Sequence, residues 1–372
     1  MKIILLFFIL TGLFACSNFV TADEILNQGI EKVEQQNYKG AIEDFTKVIE
    51  ANPENATAYT ERAFAHCELE NYPAAQSDLD KALELVPNSF RAYNCQGILF
   101  SALGQEEKAI ESYSTAIQLQ ANSATLYYNR GISYNTIANY EAALADFDAA
   151  IELEEDNTDC FYQKAACFYD MEAYDMAIDE LDRIIESVPN YADAFIKRGD
   201  AYEMKADYEA AIEDYNRFIE LQSDDPLGYN NRGYTFNKMG KYEAACQDFD
   251  KAIELDVDYE LAYLNKGDAK LATLQYDEAI QLYQKVLDIN PVSFAALSSL
   301  ADVYEATNNY SAAIERYHQI IAIDSTYGED YLARGMLYIK ENERQKACMD
   351  FKTAIELGEE TTAVDAFNEY CR

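Results

Sequence analysis

The chain has 372 residues, with 29 Lys+Arg against 67 Asp+Glu and a formal net charge of -38. A polyanion of this size is repelled by phosphate backbones and anionic lipid headgroups, which excludes nucleic-acid binding through a basic patch. Hydrophobic residues at 49% exclude intrinsic disorder, Gly 14 and Pro 6 are too few for an all-β or linker-rich protein, and only His66 and His318 could serve as imidazole bases.

In chain order, Met1 and Lys2 precede an apolar run from Ile3 to Ala15, broken only by Thr11 and Gly12. A helix over this run reaches about 20 Å, short of the ~30 Å hydrocarbon core, so residues 1–15 read as a signal peptide. Leu13-Phe14-Ala15-Cys16 resembles a bacterial lipobox, which implies cleavage before Cys16 and lipidation of its sulfur. The alternative cut follows Ala22, where Val20-Thr21-Ala22 suits ordinary signal peptidase. Thr21 to Glu24 forms a capping box that the first cut keeps and the second destroys, which favours lipidation and leaves 16–21 as a short tether. Ser17, rather than Asp, after Cys16 implies outer-membrane placement. With either cut the chain is exported, and it meets a membrane only through the lipid.

From Ala22 a single period of 34 residues repeats ten times without insertion: 22–55, 56–89, 90–123, 124–157, 158–191, 192–225, 226–259, 260–293, 294–327 and 328–361. Position 20 is Ala in every copy, from Ala41 to Ala347, and position 8 is Gly in seven copies and Ala in three. Such columns suit two antiparallel helices in close approach at small side chains. Position 24 is aromatic in eight copies and Leu79 or Leu181 in two, and positions 4 and 17 carry most of the tyrosines. Pro53, Pro87, Pro189 and Pro291 all fall at position 32, where a second helix must stop. Residues 362–372 place Val364, Phe367 and Tyr370 at helical spacing, as a capping helix would.

These columns are similar to those of the tetratricopeptide repeat family over 340 of the 372 residues. The resemblance implies an all-α, right-handed α-solenoid of ten helix–turn–helix units, and repeat positions 2, 5, 9, 12 and 13 lining a concave groove. It also implies a protein or peptide partner and neither cofactor nor catalysis. Position 5 carries no base in any copy, so the family's carboxylate clamp for chaperone C-termini is not expected. Groove acids outnumber the three groove bases, Arg91, Lys238 and Lys340. The candidate ligand residues are Tyr128, Asn135, Tyr162, Tyr169, Asp170, Asp200, Glu203, Asn230, Tyr234, Asn237 and Asp268, which suit a basic or polar peptide segment. The alternative is a self-associating solenoid that organises envelope components without a peptide ligand.

Position 7 departs from the family pattern with seven bases. Six of them share a repeat with an acid at position 23: Arg62 with Asp78, Arg130 with Asp146, Lys164 with Glu180, Arg198 with Asp214, Arg232 with Asp248 and Arg334 with Asp350. Base and acid therefore travel together, as structural ion pairs rather than an anion-binding ladder. No Gly-rich phosphate loop, nucleophile elbow or metal-ligand spacing occurs, so the sequence reads as neither an enzyme nor a metal protein. The cysteines beyond Cys16 sit mostly at small apolar positions and read as core residues. The first and eighth repeats, with Lys32 and Lys270 out of pattern, read as the weakest units.

Overall fold

A computed structural model describes residues 21–359 and 361–372, and the expected signal peptide (1–15), the expected lipidation site Cys16 and most of the tether lie outside the described residues. The described chain holds 21 helices and divides into two units, ending at Cys167 and beginning at Phe168. Each unit is built from helix pairs. The first contains α1 (Ala22–Glu34), α2 (Tyr38–Ala51), α3 (Ala56–Glu68), α4 (Tyr72–Leu85), α5 (Phe90–Ala102), α6 (Glu106–Leu119), α7 (Ala124–Thr136) and α8 (Tyr140–Leu153), and its boundary falls within α9 (Thr158–Asp170). The second contains α10 (Tyr174–Ser187), α11 (Ala192–Met204), α12 (Tyr208–Leu221), α13 (Pro226–Lys238), α14 (Tyr242–Leu255), α15 (Glu260–Ala272) and α16 (Tyr276–Ile289). It continues with α17 (Phe294–Ala306), α18 (Tyr310–Ile323), α19 (Gly328–Lys340), α20 (Arg344–Glu356) and α21 (Thr362–Cys371). Helix A of a repeat spans positions 1–13, and helix B starts at position 17.

The turn between them is the same each time. Position 15 takes a left-handed conformation in all ten repeats, with φ between 57° and 73°. Only Gly104 and Gly240 supply a glycine there; Leu274 and seven others accept the conformation for the sake of the turn. The position-16 N–H then reaches back to the position-11 carbonyl, as from Asn37 to Lys32 at 2.8 Å, which closes the end of helix A. At the start of α1, Thr21 and Glu24 make both bonds of the capping box.

The position-8 glycines do a different job from the one their small size suggests. A Cβ added at Gly29, Gly97, Gly131, Gly199, Gly233, Gly267 or Gly335 would come within 2.4–2.8 Å of a position-24 ring of the same repeat. Each glycine thus admits an aromatic ring rather than a second small residue. Where position 8 is Ala63, position 24 shrinks to Leu79, and both are fully buried. Repeat 9 breaks the rule by setting Ala301 against Tyr317, and Tyr317 is only half-buried, unlike Tyr215, Tyr283 and Phe351.

One reading of the cysteines needs correction. Cys348 of α20 and Cys371 of α21 form a disulfide with Cα atoms 5.7 Å apart, so these two are a covalent clip rather than core filler. Arg344 adds bonds to the backbone carbonyls of Tyr370 and Arg372. Ala363 and Ala366 are the buried residues of α21, and Phe367 and Tyr370 flank them against the last repeat.

Candidate binding surface

The position-7 arginines are spoken for. Arg62 donates through Nε and Nη2 to both carboxylate oxygens of Asp78 at 2.7 Å each. The same fork joins Arg130 to Asp146 (2.7 and 2.7 Å), Arg198 to Asp214 (2.8 and 2.6 Å), Arg232 to Asp248 (2.8 and 2.6 Å) and Arg334 to Asp350 (2.8 and 2.8 Å). A third donor, Nη1, crosses to position 25 of the preceding repeat: Thr46 at 3.0 Å, Ser114 at 2.9 Å, Asn216 at 2.5 Å and, from Arg198, Asp182. Each of the five guanidinium groups also lies 5.4–5.8 Å from the centre of its position-4 ring. One planar group therefore ties helix A to its own helix B and, in four of the five, to the repeat before; a lysine point charge makes fewer such bonds.

The bond to the preceding repeat was missed in the sequence because position 25 varies among Thr, Ser, Asp and Asn. Lys164 reaches the position-25 acid Asp148 at 2.8 Å, and Lys266 reaches Asp250 at 2.5 Å. Glu180 pairs with Arg183 at 3.0 Å. In repeat 1, where position 7 is Gln28, the buried Asp44 recruits Lys32 and Lys47 instead. Burial works against that carboxylate, but the two ammonium groups hold it below the usual carboxylate range.

Several candidate ligand residues serve the chain itself. Tyr215 donates its hydroxyl to Asp200 at 2.9 Å, and Tyr283 donates to Asp268 at 2.7 Å. Both rings fill the space over a position-8 glycine, so each phenol is buried and needs an acceptor. The repeats with Phe at position 24 need none, and carry Ile30, Ile132, Tyr234 or Met336 at position 9. Asp200 and Asp268 are therefore counterparts of buried phenols before they are groove acids. Asp200 also accepts from Asn231 at 3.1 Å, and its carboxyl is held above the ordinary range by burial while these bonds pull it down.

Asn230 is corrected too. It is 5% exposed, donates to Asn231 and accepts from Asn265 at 3.0 Å, so it cannot bridge an incoming backbone. In the first unit Asn135 accepts from Cys167 at 3.2 Å, and Tyr128 packs against Phe147 with ring centres 6.1 Å apart while its hydroxyl meets Gln163. Tyr162 is half-buried on α9.

What remains open in the second unit is smaller than the sequence suggested. Asp170 is exposed at the end of α9, and Asn237 is half-buried on α13. Tyr169 lies 5.5 Å from Tyr174 and carries the Lys197 ammonium 4.0 Å from its ring centre. Its phenol is pushed up to about 12 by burial and then by the charge of Asp200. Glu203 is raised by burial and by Asp200, with Lys238 opposing, and Lys238 itself sits 5.0 Å over Tyr234. Lys340 likewise pairs with Glu305, so the bases of this face are neutralised internally.

The first unit holds a cavity that the sequence did not reveal. It measures about 260 Å³ and opens on the helix A face of α3, α5 and α7. Phe64, Phe90 and Leu126 give it apolar walls, and Asn94, Arg91 and Glu61 give it polar ones. Asn94 accepts from Asn129 at 3.0 Å, which fixes its amide with the NH2 group available to donate. Arg91 stands 3.6 Å from Glu61 at the rim. Arg91 and Thr125 occupy repeat position 2, Thr60 and Asn94 position 5, and Phe64 position 9. Among the described residues no cluster of three metal-ligating side chains occurs, and no helix is long and apolar enough to cross a membrane.

A stack of helix pairs held by repeated side-chain columns, with its polar chemistry consumed in joining repeats, defines a helical-repeat scaffold. The chain belongs to the tetratricopeptide repeat family: family descriptions of the TPR or tetratricopeptide repeat match residues 32–96, 97–136, 124–157, 207–240, 226–259 and 271–334. A tetratricopeptide repeat protein from Parabacteroides merdae is 21% identical, with 67% of this chain and 98% of that one covered and a TM-score of 0.51. Yeast Tom70 is 15% identical, with 94% and 88% covered and a TM-score of 0.50. YrrB, described as a TPR protein with an unusual peptide-binding site, is 28% identical over 50% of this chain and 95% of its own, with a TM-score of 0.42. No curated protein matches the chain.

Proposed function

We propose that this protein is an interaction scaffold of the bacterial cell envelope that seats an extended segment of a partner protein on its helix A face. The observation that carries this reading is the cavity between α3, α5 and α7, which combines an apolar floor with the oriented amide of Asn94 at the positions the family uses for ligands. Its size suits one apolar side chain, with Asn94 donating to a backbone carbonyl beside it. The overall charge of -38 favours basic residues in the same partner.

Export and anchoring belong to the same proposal. Cys16, lipidated after removal of residues 1–15, would hold the chain at the outer membrane, since one acyl chain alone binds only marginally and a lipoprotein carries more than one. The Cys348–Cys371 disulfide supports export, because such bonds persist in oxidising compartments.

The test is a photo-reactive residue at Thr125, used in intact cells with wild type and with Phe64→Glu. A cross-linked partner that disappears with Phe64→Glu, while helicity is unchanged, supports the seat. A partner captured equally by both variants overturns it. Fractionation of Cys16→Ser in the same cells reads the anchor: a membrane-bound variant refutes lipidation.

A further inference from the structure

Two cysteines of successive repeats lie in the core of the first unit, one of them in the wall of the cavity between α3, α5 and α7. Cys67, near the end of α3, and Cys95, on α5, belong to one buried cluster with Ala63, Leu79, Ala92 and Leu99. They come from successive repeats, at positions 12 and 6, and α3 meets α5 more extensively than any other described pair of successive A helices meets. Both thiols lie in that cluster, and the Cys95 thiol points at the Thr60 carbonyl of α3, 3.9 Å away. Cys67 and Cys95 are 7% and 3% exposed, and Cys95 forms part of the cavity wall, so a small solute in the cavity meets the pair at Cys95.

From this juxtaposition we propose that Cys67 and Cys95 are a peroxide-oxidisable dithiol, which closes to a second disulfide and bonds repeat 2 to repeat 3. The proposal is independent of the peptide reading. In the first step the Cys67 thiolate attacks one oxygen of hydrogen peroxide, breaks the O–O bond and becomes a sulfenic acid, with hydroxide leaving. In the second, Cys95 attacks the Cys67 sulfur, the S–O bond breaks and water leaves. Two thiols and one peroxide thus give one disulfide and two waters, with two electrons passing from sulfur to oxygen. The roles follow from the electrostatics of the pair: Cys95 holds the Cys67 thiol below the ordinary range, while Cys67 and burial push Cys95 well above it. Cys160, buried and pushed up to about 11 by burial and then by Asp159, has no such relation.

The experiment treats the folded full-length protein with hydrogen peroxide, quenches it, alkylates in denaturant and maps the peptides by mass. The expected result is a Cys67–Cys95 cross-linked peptide two hydrogens lighter than the sum of its parts, reversed by dithiothreitol, while Cys160 and Cys246 stay alkylated. In Cys95→Ser, Cys67 should instead be trapped by a sulfenic-acid reagent such as dimedone. Cys67 and Cys95 fully alkylated after treatment, or oxidised no faster than Cys160, would overturn the proposal. A circular dichroism spectrum of each variant confirms that the fold is retained during the assay.

Discussion

Repeats 9 and 10 lie side by side in the second unit and share a backbone, yet they are held in different ways. In repeat 10, Gly335 admits the ring of Phe351, which is fully buried, and Arg334 forks onto Asp350. In repeat 9 the corresponding residues are Ala301 with a half-buried Tyr317, and Leu300 with Arg316, whose buried Nε has no partner. Both of the couplings that tie helix A to helix B elsewhere are altered at once. The comparison teaches that these columns act as pairs: changing one member without the other displaces a ring or strands a charge. It also moves the expected weak point away from the first and eighth repeats, since Lys32 pairs with Asp44 and Lys270 with Glu278 at 2.8 Å.

The strongest way to break this comparison is to remove the acid of the intact pair. Asp350→Ala leaves Arg334 largely buried without its carboxylate, and should cost repeat 10 about 3 kcal/mol. The matching change in repeat 9, Arg316→Ala, removes a cation that has no acid and should stay within about 0.5 kcal/mol. Native-state hydrogen exchange resolved by repeat reads both, because a nearest-neighbour array opens locally rather than all at once. Equal losses in the two repeats would refute the pairing argument.

A somewhat smaller effect is expected at position 8. Gly335→Ala drives a methyl group to within 2.6 Å of Phe351 and should destabilise repeat 10 by about 1–3 kcal/mol through overpacking. Ala301→Gly gives up about 1 kcal/mol of helix propensity but lets Tyr317 sink towards the core. Its net effect should therefore be the smaller of the two, as measured by urea unfolding. A loss as large as that of Gly335→Ala would show that repeat 9 has no need of the space.

The smallest and most discriminating effect is on pH dependence. Burial raises the Asp330 carboxyl, and the charges of Glu329 and Asp324 raise it further. The folded state therefore binds this proton more tightly than the unfolded chain. Stability gained in mild acid is lost as pH rises from the ordinary carboxylate range through the raised value. Protection of α19 should accordingly fall between those limits, and Asp330→Asn should flatten the change. An unchanged slope in that variant would assign the effect to the overall negative charge instead.

Much of this was legible in the residues. The invariant Ala column from Ala41 to Ala347 and the aromatic columns state where helices cross, because a 34-residue period leaves each side chain one structural meaning. The covariation of position 7 with position 23 was legible for the same reason. Less of the candidate surface could be read. Asp200, Asp268 and Asn230 occupy ligand positions by register, but whether a carboxylate or amide faces a partner depends on which buried hydroxyl or amide lies beneath it.

The sequence by itself determined the number of repeats, the helix boundaries, the family and the sign of the charge, all of which follow from local periodicity and composition. Only the tertiary structure decided that each position-8 glycine makes room for a ring, that arginines also bond to the preceding repeat, and that Cys348 clips Cys371. The cavity lined by Phe64 and Asn94 and the common buried cluster of Cys67 and Cys95 were decided there too. These features join side chains 15 to 35 residues apart, and such distances depend on packing rather than on any pattern within one helix.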